Sequence, residues 1–401
     1  MPIQTFQGVK NLNVPIHRVT HGQLHHWFGY YDKCPWDATG RYVLAMRNSF
    51  CDRQPAPGMD EQITIGMADL QDDDRYIELD TTSAWCWQQG TMLQWLGDAA
   101  DQRIIYNVVA PGDEDHYAAR VRDVHSGETR DLPGPVYAVS RDGTHAVCND
   151  FDRVNRTRPG YGYGALPEHN AHVSAPADMG VHHMDLASGM RRQLISIKWL
   201  ANNEPRDGFD AAQHWVNHLE LNPAGDRFLF LHRWDGGSQY IRATRMYTAR
   251  PDGTDVRLIL DADLTSHFCW RDDRTILVWS KAKREDPAGR YIFVDAITGT
   301  VQDVGGEIPA QDGHCTVSPD GRWILTDTYP DAESYRTLIL FRIADGKRFD
   351  VGSFFSPPAV TGDWRCDLHP RFNRDGTQVC IDSAHEPTRH VYVLDVAQMV
   401  D

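Results

Sequence analysis

The chain has 401 residues and carries 56 acidic against 40 basic side chains, a net charge of -16. That balance excludes a general nucleic-acid or anionic-membrane binder, because either needs a basic footprint, so an acidic substrate would require a local positive site. Its eight cysteines never form a CxxC pair and fall mostly in strand-like runs, which predicts reduced, buried thiols. No run of about 18 apolar residues is present, and the opening MPIQTFQGVKNLNV lacks the basic and apolar regions of a signal peptide. The expectation is a soluble, cytoplasmic protein with no membrane and no nucleic-acid partner.

In chain order, strand pairs recur about turn residues Gly40, Gly97, Gly143, Gly225, Asp273, Gly321 and Gly376. A second series of turns lies between them, as in VRDVHSG (121–127), HMDLASG (183–189) and RIADG (342–346). Asp-Gly signals between alternating apolar runs mark hairpins, and a period of roughly 40 to 50 residues with four short strands marks propeller blades. The pattern predicts an all-β, single-domain, seven-bladed β-propeller with four-stranded blades near 24–80, 84–132, 134–196, 212–260, 264–305, 310–352 and 365–398. Residues 1–20 are expected to add a strand to the last blade and close the ring, removing exposed sheet edges. The stretch 151–180, within a long insertion spanning 151–211, is rich in Gly, Pro and His and reads as a loop over one face of the disc. Little helix is expected beyond a short turn around 196–203.

The main functional signal is a register of histidines. His218, His314 and His369 each stand seven residues before the turn glycine of their blade, and His267 stands six before Asp273. Equivalent positions on different blades face one another across a propeller's channel, so these four imidazoles are candidates for one cluster. Neutral imidazole is a ligand for Zn, Mn, Fe or Ni, and a nearby carboxylate widens the choice toward Mn or Ca. Asp367, two residues before His369, supplies one; Asp312 is a second candidate. The competing reading is that each imidazole caps its own strand.

Two further groups stand out. In LHRWDGGSQYIRATRMY (231–247), His232 ends a strand and Arg242 and Arg245 follow, each offering the planar fork that binds a carboxylate. In HHWFGYYDKCPWDATGRY (25–42), His25, His26, Tyr30 and Tyr31 form an aromatic and imidazole group, and Lys33 takes the place where later blades carry histidine. Aromatic faces stack on sugar rings, and Tyr or His can exchange protons with a reacting group. Gln88 or Gln89, opening blade two, could reach the channel. No GxSxG with matching partners, P-loop, GxGxxG after a strand or HExxH is present.

Over residues 210–398 the sequence resembles the oligogalacturonate lyases, seven-bladed propellers that cleave short uronic-acid chains. NHLELNPAGDRFLFLH resembles that family's strand pair ending in a catalytic-site histidine, here His232, and RMYTARPDGTD its following strand, here with Arg245. SHFCWRDDRTIL resembles a segment with a metal-binding histidine, here His267. HPRFNRDGTQVCIDSAHEPTRHVYVLDV resembles the last blade, with His369 as ligand. Where the family has a further His and a Gln, this chain has Asp367 and Trp364, so the metal shell differs, and His314 or His218 is left to fill the gap.

The resemblance implies an acidic-sugar substrate and manganese, with calcium or zinc as alternatives. On that basis the expected activity is metal-assisted β-elimination on uronate oligosaccharides. His267, His314, His369 and Asp367 are the expected metal ligands. His232, Arg245, Arg242 and His218 are the expected catalytic groups, and His25, His26, Tyr30, Tyr31, Lys33 and Gln89 the expected substrate contacts. A non-catalytic binding propeller and a propeller glycoside hydrolase are the alternatives.

Overall fold

The turn signals fall where each blade's first strand reverses into its second. At Gly321 the backbone takes φ +72° and its N–H donates to Ser318 O at 2.8 Å, a conformation open to a residue without Cβ. The computed structural model, which describes residues 7–97, 102–112, 115–235 and 242–400, assembles the chain into seven antiparallel sheets. It is a seven-bladed β-propeller.

Blade one comprises His25–Trp27, Tyr42–Asn48, Ile63–Asp69 and Arg75–Thr82. Blades two and three run from Gln94–Trp95 to Thr129–Leu132 and from Ala138–Val139 to Arg191–Ser196. Blade four is built of His214–Leu221, Phe228–Asp235, Arg242–Ala249 and Arg257–Asp263. Blade five runs from Thr265–Trp270 to Val301–Asp303, and blade six from Thr316–Val317 to Lys347–Phe355. Blade seven takes Arg371–Phe372, Gln378–Ser383 and His390–Asp395 from the chain's end. First strands of successive blades neighbour one another, which puts them at the axis.

The N-terminal segment is divided between two blades. Ile16–Arg18 pairs with His390–Asp395 as the fourth strand of blade seven, while Val9–Lys10 pairs with Lys347–Phe355 as a fifth strand on blade six. The second pairing was not legible in the sequence, because two residues carry no alternation to read.

Core residues lie between blades rather than within one. Leu229, Leu231 and Met246 of blade four pack with Ile276, Val278 and Ile292 of blade five. Val43 and Ala45 of blade one pack with Cys380, Val391 and Val393 of blade seven. A second strand is therefore covered on both faces, and Phe228–Trp234 is buried throughout instead of alternating. All eight cysteines are free thiols.

The segment between the second and third strands of blade three is partly helical. Phe151–Thr157 forms a helix whose buried Phe151 and Val154 pack inward, too short a periodicity to stand out in a polar stretch. Arg153, fully buried, ties it down: Nε donates to His214 O, Nη2 to Ser174 O and Nη1 to Glu168, all at 2.6–2.7 Å. A second short helix, Ile197–Asn202, is capped by the Ser196 side chain accepting from Trp199 N–H, where a turn was expected. Among the described residues no helix is long and apolar enough to cross a membrane.

Candidate functional site

The four register-matched histidines meet at the axis. Ring centroids of His267 and His314 are 4.1 Å apart, and those of His314 and His369 4.4 Å. His218 joins them through Tyr30, whose ring stacks on it at 5.0 Å and meets His369 edge-on at 5.0 Å. The backbone helps to aim two of them: His218 has φ +52° and His369 φ +42°, and the pairing of blade four's first strand slips between Asn217 and Leu219, on either side of His218. Left-handed backbone at a non-glycine residue costs on the order of 1–3 kcal/mol and persists where surroundings enforce it.

Carboxylates fix two of the rings. His267 Nδ1 lies 2.9 Å from Asp312 Oδ1, and His314 Nδ1 lies 2.9 Å from Asp327 Oδ1. With Nδ1–H donated to a carboxylate, the Nε2 lone pair is turned outward, the arrangement that prepares histidine as a metal ligand. His314 Nε2 and both nitrogens of His369 have no hydrogen-bond partner among the described residues although both side chains are buried. Ligand atoms from His314, Asp367 and His369 all lie within 4.8 Å of one another. The donor set, two imidazoles and a carboxylate with His267 adjacent, fits a divalent ion.

Asp367 has a second allegiance. Its oxygens lie 2.8 Å from Arg336 Nη1 and 2.8 Å from Arg365 Nε. Burial alone would raise its pKa, but Arg365 and Arg336 drive it well below the usual carboxylate range. His369 and His218 are both held well below the ordinary imidazole pKa, first by burial and next by a basic neighbour, the His314 imidazole for the one and the Arg233 guanidinium for the other. They are neutral at pH 7.

Arginines and tyrosines gather beside these imidazoles. Arg365 Nη2 donates to Tyr161 Oη at 2.7 Å, and Arg158 lies over the Tyr161 ring at 4.3 Å, so the insertion after blade three's second strand contributes to the group. Arg233, on blade four's second strand, is buried; burial and then Arg158 bring its pKa down to about 10, so it stays charged at neutral pH. None of these arginines, nor Arg336, stands out in the sequence. Arg233 sits beside His232 in the same motif, and strand alternation leaves open which neighbour faces the axis.

The structure separates the other expected residues. Successive side chains on a strand point oppositely, and with Arg233 directed to the axis, His232 turns away from it. His232 bonds His214 at 3.0 Å and contacts Phe209 and Trp234, fully buried. Arg245, opposite it in register, donates to Asp261 and to the carbonyls of Asn203 and Glu204. Neither touches the imidazole cluster. The Arg242 side chain lies outside the described residues.

Of the expected substrate contacts, Tyr30 is at the centre, its Oη 3.3 Å from His218 Nε2. Gln89 is there too, with its amide nitrogen 3.1 Å from His218 Nδ1 and donating to Tyr137 Oη at 2.6 Å. Tyr31 packs against His267 and His314, with its hydroxyl donating to Phe268 O and accepting from Phe268 N–H. Gln88 donates to the carbonyls of Asp363 and Arg365. Lys33 pairs with Asp32 at 2.7 Å in a hollow with Glu220 and Arg371, on the side where first strands end. His26 is a packing residue, stacked on His390 and bonded to Leu24 O. His25 accepts from the Arg389 backbone N–H at 3.3 Å and lines a separate cavity.

No family model and no curated protein matches this chain. Solved structures do match. An oligogalacturonate lyase in complex with manganese aligns over 98% of this chain and 95% of its own, with 16% identity and a TM-score of 0.68. An oligogalacturonate lyase from Vibrio parahaemolyticus aligns over 98% and 96%, with 14% identity and a TM-score of 0.67. A prolyl endopeptidase structure aligns over 94% of this chain but 48% of its own, with 11% identity and a TM-score of 0.55. The likeness is one of fold. The propeller's chemistry has to be argued from its own axis, where imidazoles, a carboxylate and arginines converge.

Proposed function

We propose that this propeller is a lyase that cleaves uronate-containing oligosaccharides by β-elimination at the axial mouth. The observation that carries the reading is the convergence of His314 Nε2, His369 Nε2 and Asp367 under a rim of arginines. In β-elimination a base removes the proton at C5 of the uronate and the C4 oxygen leaves. That proton is poorly acidic until the adjoining carboxylate is neutralised, so preorganised positive charge is the largest contribution expected of the site.

Arg233, Arg336 and Arg365 are the groups our reading assigns to the substrate carboxylate, with Arg158 closing the rim from the insertion. His314, His369 and Asp367, with His267 beside them, would hold a divalent ion, manganese by analogy with the matched lyase's complex. When bound, it would add Lewis-acid stabilisation of the same carboxylate. Proton transfer falls to Tyr30 and His218, not to His232. Burial, then Tyr161, raises the Tyr30 pKa well above its usual value, so the hydroxyl is protonated at pH 7 and suited to donate to the leaving oxygen. His218 is neutral and can accept through Nε2 while Nδ1 faces Tyr137 Oη at 3.0 Å.

The test is incubation with oligogalacturonate and other uronate oligomers, with and without chelator, following ultraviolet absorbance of the unsaturated product. A metal-dependent rise is expected. Absence of unsaturated product on every uronate tried would reject the lyase, and saturated products would point to hydrolysis.

A further inference from the structure

Between the loops that follow the second strands of blades seven and one lies a cavity of about 530 Å³, walled by His25, Phe50, Cys51, Pro357, Val360 and Pro387 and containing Arg389. Arg389 is fully buried. None of its three guanidinium nitrogens has a hydrogen-bond partner among the described residues, apart from a contact close enough for Arg389 to pull on the Cys51 thiol. Its nearest carboxylate, Asp382, is 4.0 Å away and already engaged by Arg371 at 3.0 Å and by the backbone N–H groups of Phe28 and Gly29. The two acids lining the cavity do not serve it either. Glu386 accepts from Arg18 and from Tyr392 Oη, and Asp52 forms no ion pair with Arg389.

The side chain is nevertheless held in place. Its backbone carbonyl accepts from His26 N–H at 2.7 Å and its backbone N–H donates to His25 Nδ1. The guanidinium lies 5.7 Å from the Trp27 ring and 5.5 Å from Trp87. Two aromatic faces stabilise a cation there without using its N–H groups. A rigid, desolvated planar fork met by no carboxylate closer than 4.0 Å, with only the Cys51 thiol beside it, is matched by a planar oxyanion entering from outside, and a carboxylate fits it through two parallel hydrogen bonds.

We infer that this cavity is a carboxylate subsite, in which Arg389 holds a uronate residue of the oligosaccharide other than the one at the imidazole cluster. The inference rests on the uronate reading above and extends it to a second sugar. The placement supports it: Asp382, 4.0 Å from Arg389, donates its backbone N–H at 2.9 Å to the carbonyl of Leu368, the residue between Asp367 and His369. Phe50 and the two prolines supply apolar wall for a sugar ring.

Calorimetry on chelator-treated protein tests it, because binding can then be read without turnover. The ligands are galacturonate oligomers, the same oligomers with carboxyl groups reduced to alcohols, and acetate. Wild type is expected to prefer the acidic oligomers, and Arg389→Met to lose about tenfold or more of that affinity, as expected for a charge-assisted pair. Arg389→Lys should recover part of it. Ala359→Trp, which narrows the cavity from its exposed wall without touching the guanidinium, should weaken long oligomers likewise, so a misfolded Arg389 variant would not leave the question open. Equal affinity of wild type, Arg389→Met and Ala359→Trp for the acidic oligomers would overturn the subsite, as would acetate binding with no preference for the sugar acid. Failure of the lyase reading would show separately, as absence of unsaturated product from wild type.

Discussion

His314 and Asp327 form a buried pair, with Nδ1 2.9 Å from Oδ1 and each side chain 1% exposed. Asp327 also accepts from the His314 backbone N–H at 2.8 Å, so one carboxylate fixes both the ring's position and its tautomer. Asp327→Asn keeps the shape but no longer selects the tautomer that leaves Nε2 free. Manganese affinity, measured by calorimetry, is expected to fall about 10–100-fold, as for other carboxylates supporting a ligand histidine. Unchanged affinity would mean that His314 is no ligand.

Tyr30 offers a cleaner separation of packing from chemistry. Its ring stacks on His218 at 5.0 Å, and only its hydroxyl reaches His218 Nε2. Tyr30→Phe preserves the stack and removes the proton. The expected result is a fall in kcat of about 10²–10⁴-fold with little change in thermal stability. If kcat survives, the proton is carried by another group at the mouth.

The rim arginines should act on the transition state. The Arg365 guanidinium reaches Asp367, Tyr161 and the carbonyl of Gly362, and no core strand. Arg365→Gln is expected to lower kcat/KM by about 10²–10³-fold, the usual loss for one preorganised electrostatic donor. By contrast, Arg245→Lys, in the Asp261 cluster of blade four, is expected to lower the unfolding temperature more than it lowers kcat. Steady-state kinetics beside thermal unfolding of the two variants distinguishes these roles.

The propeller and the histidine register were legible because turn residues mark every blade, six of them glycine and the seventh Asp273, and an offset of six or seven from the turn returns to the same height on the axis. That offset carried His218, His267, His314 and His369 to their meeting point without any long-range information. Side-chain direction within a strand was not legible. His232 and Arg233 are neighbours, and a one-residue difference in register exchanges the one that faces the channel. Arg158 and Tyr161 reach the mouth from an insertion whose path depends on Arg153 binding three distant partners, and Arg389 is notable for partners it lacks, which no pattern of residues displays.

Acid should loosen the seam between blades seven and one. Burial is the first cause holding His26 down to about 3, and His385 and His390 to about 4, from an ordinary 6.5. Between those values and 6.5 the unfolded chain binds protons that the folded chain refuses, so stability rises with pH and is lost as pH falls through that window. Asp152 works in the opposite sense: burial and Asp150 raise it from 3.8 to about 6, so its contribution grows as pH falls from 6 to 3.8. A tenfold difference in proton affinity between the folded and unfolded chain is worth about 1.4 kcal/mol, and the three depressed imidazoles of this seam outweigh Asp152. The thermal unfolding midpoint is expected to drop between pH 6.5 and 4.5, and His26→Gln, which cannot protonate, to flatten that slope. An identical slope in the variant would show that His26 ionisation does not govern the acid lability of this seam.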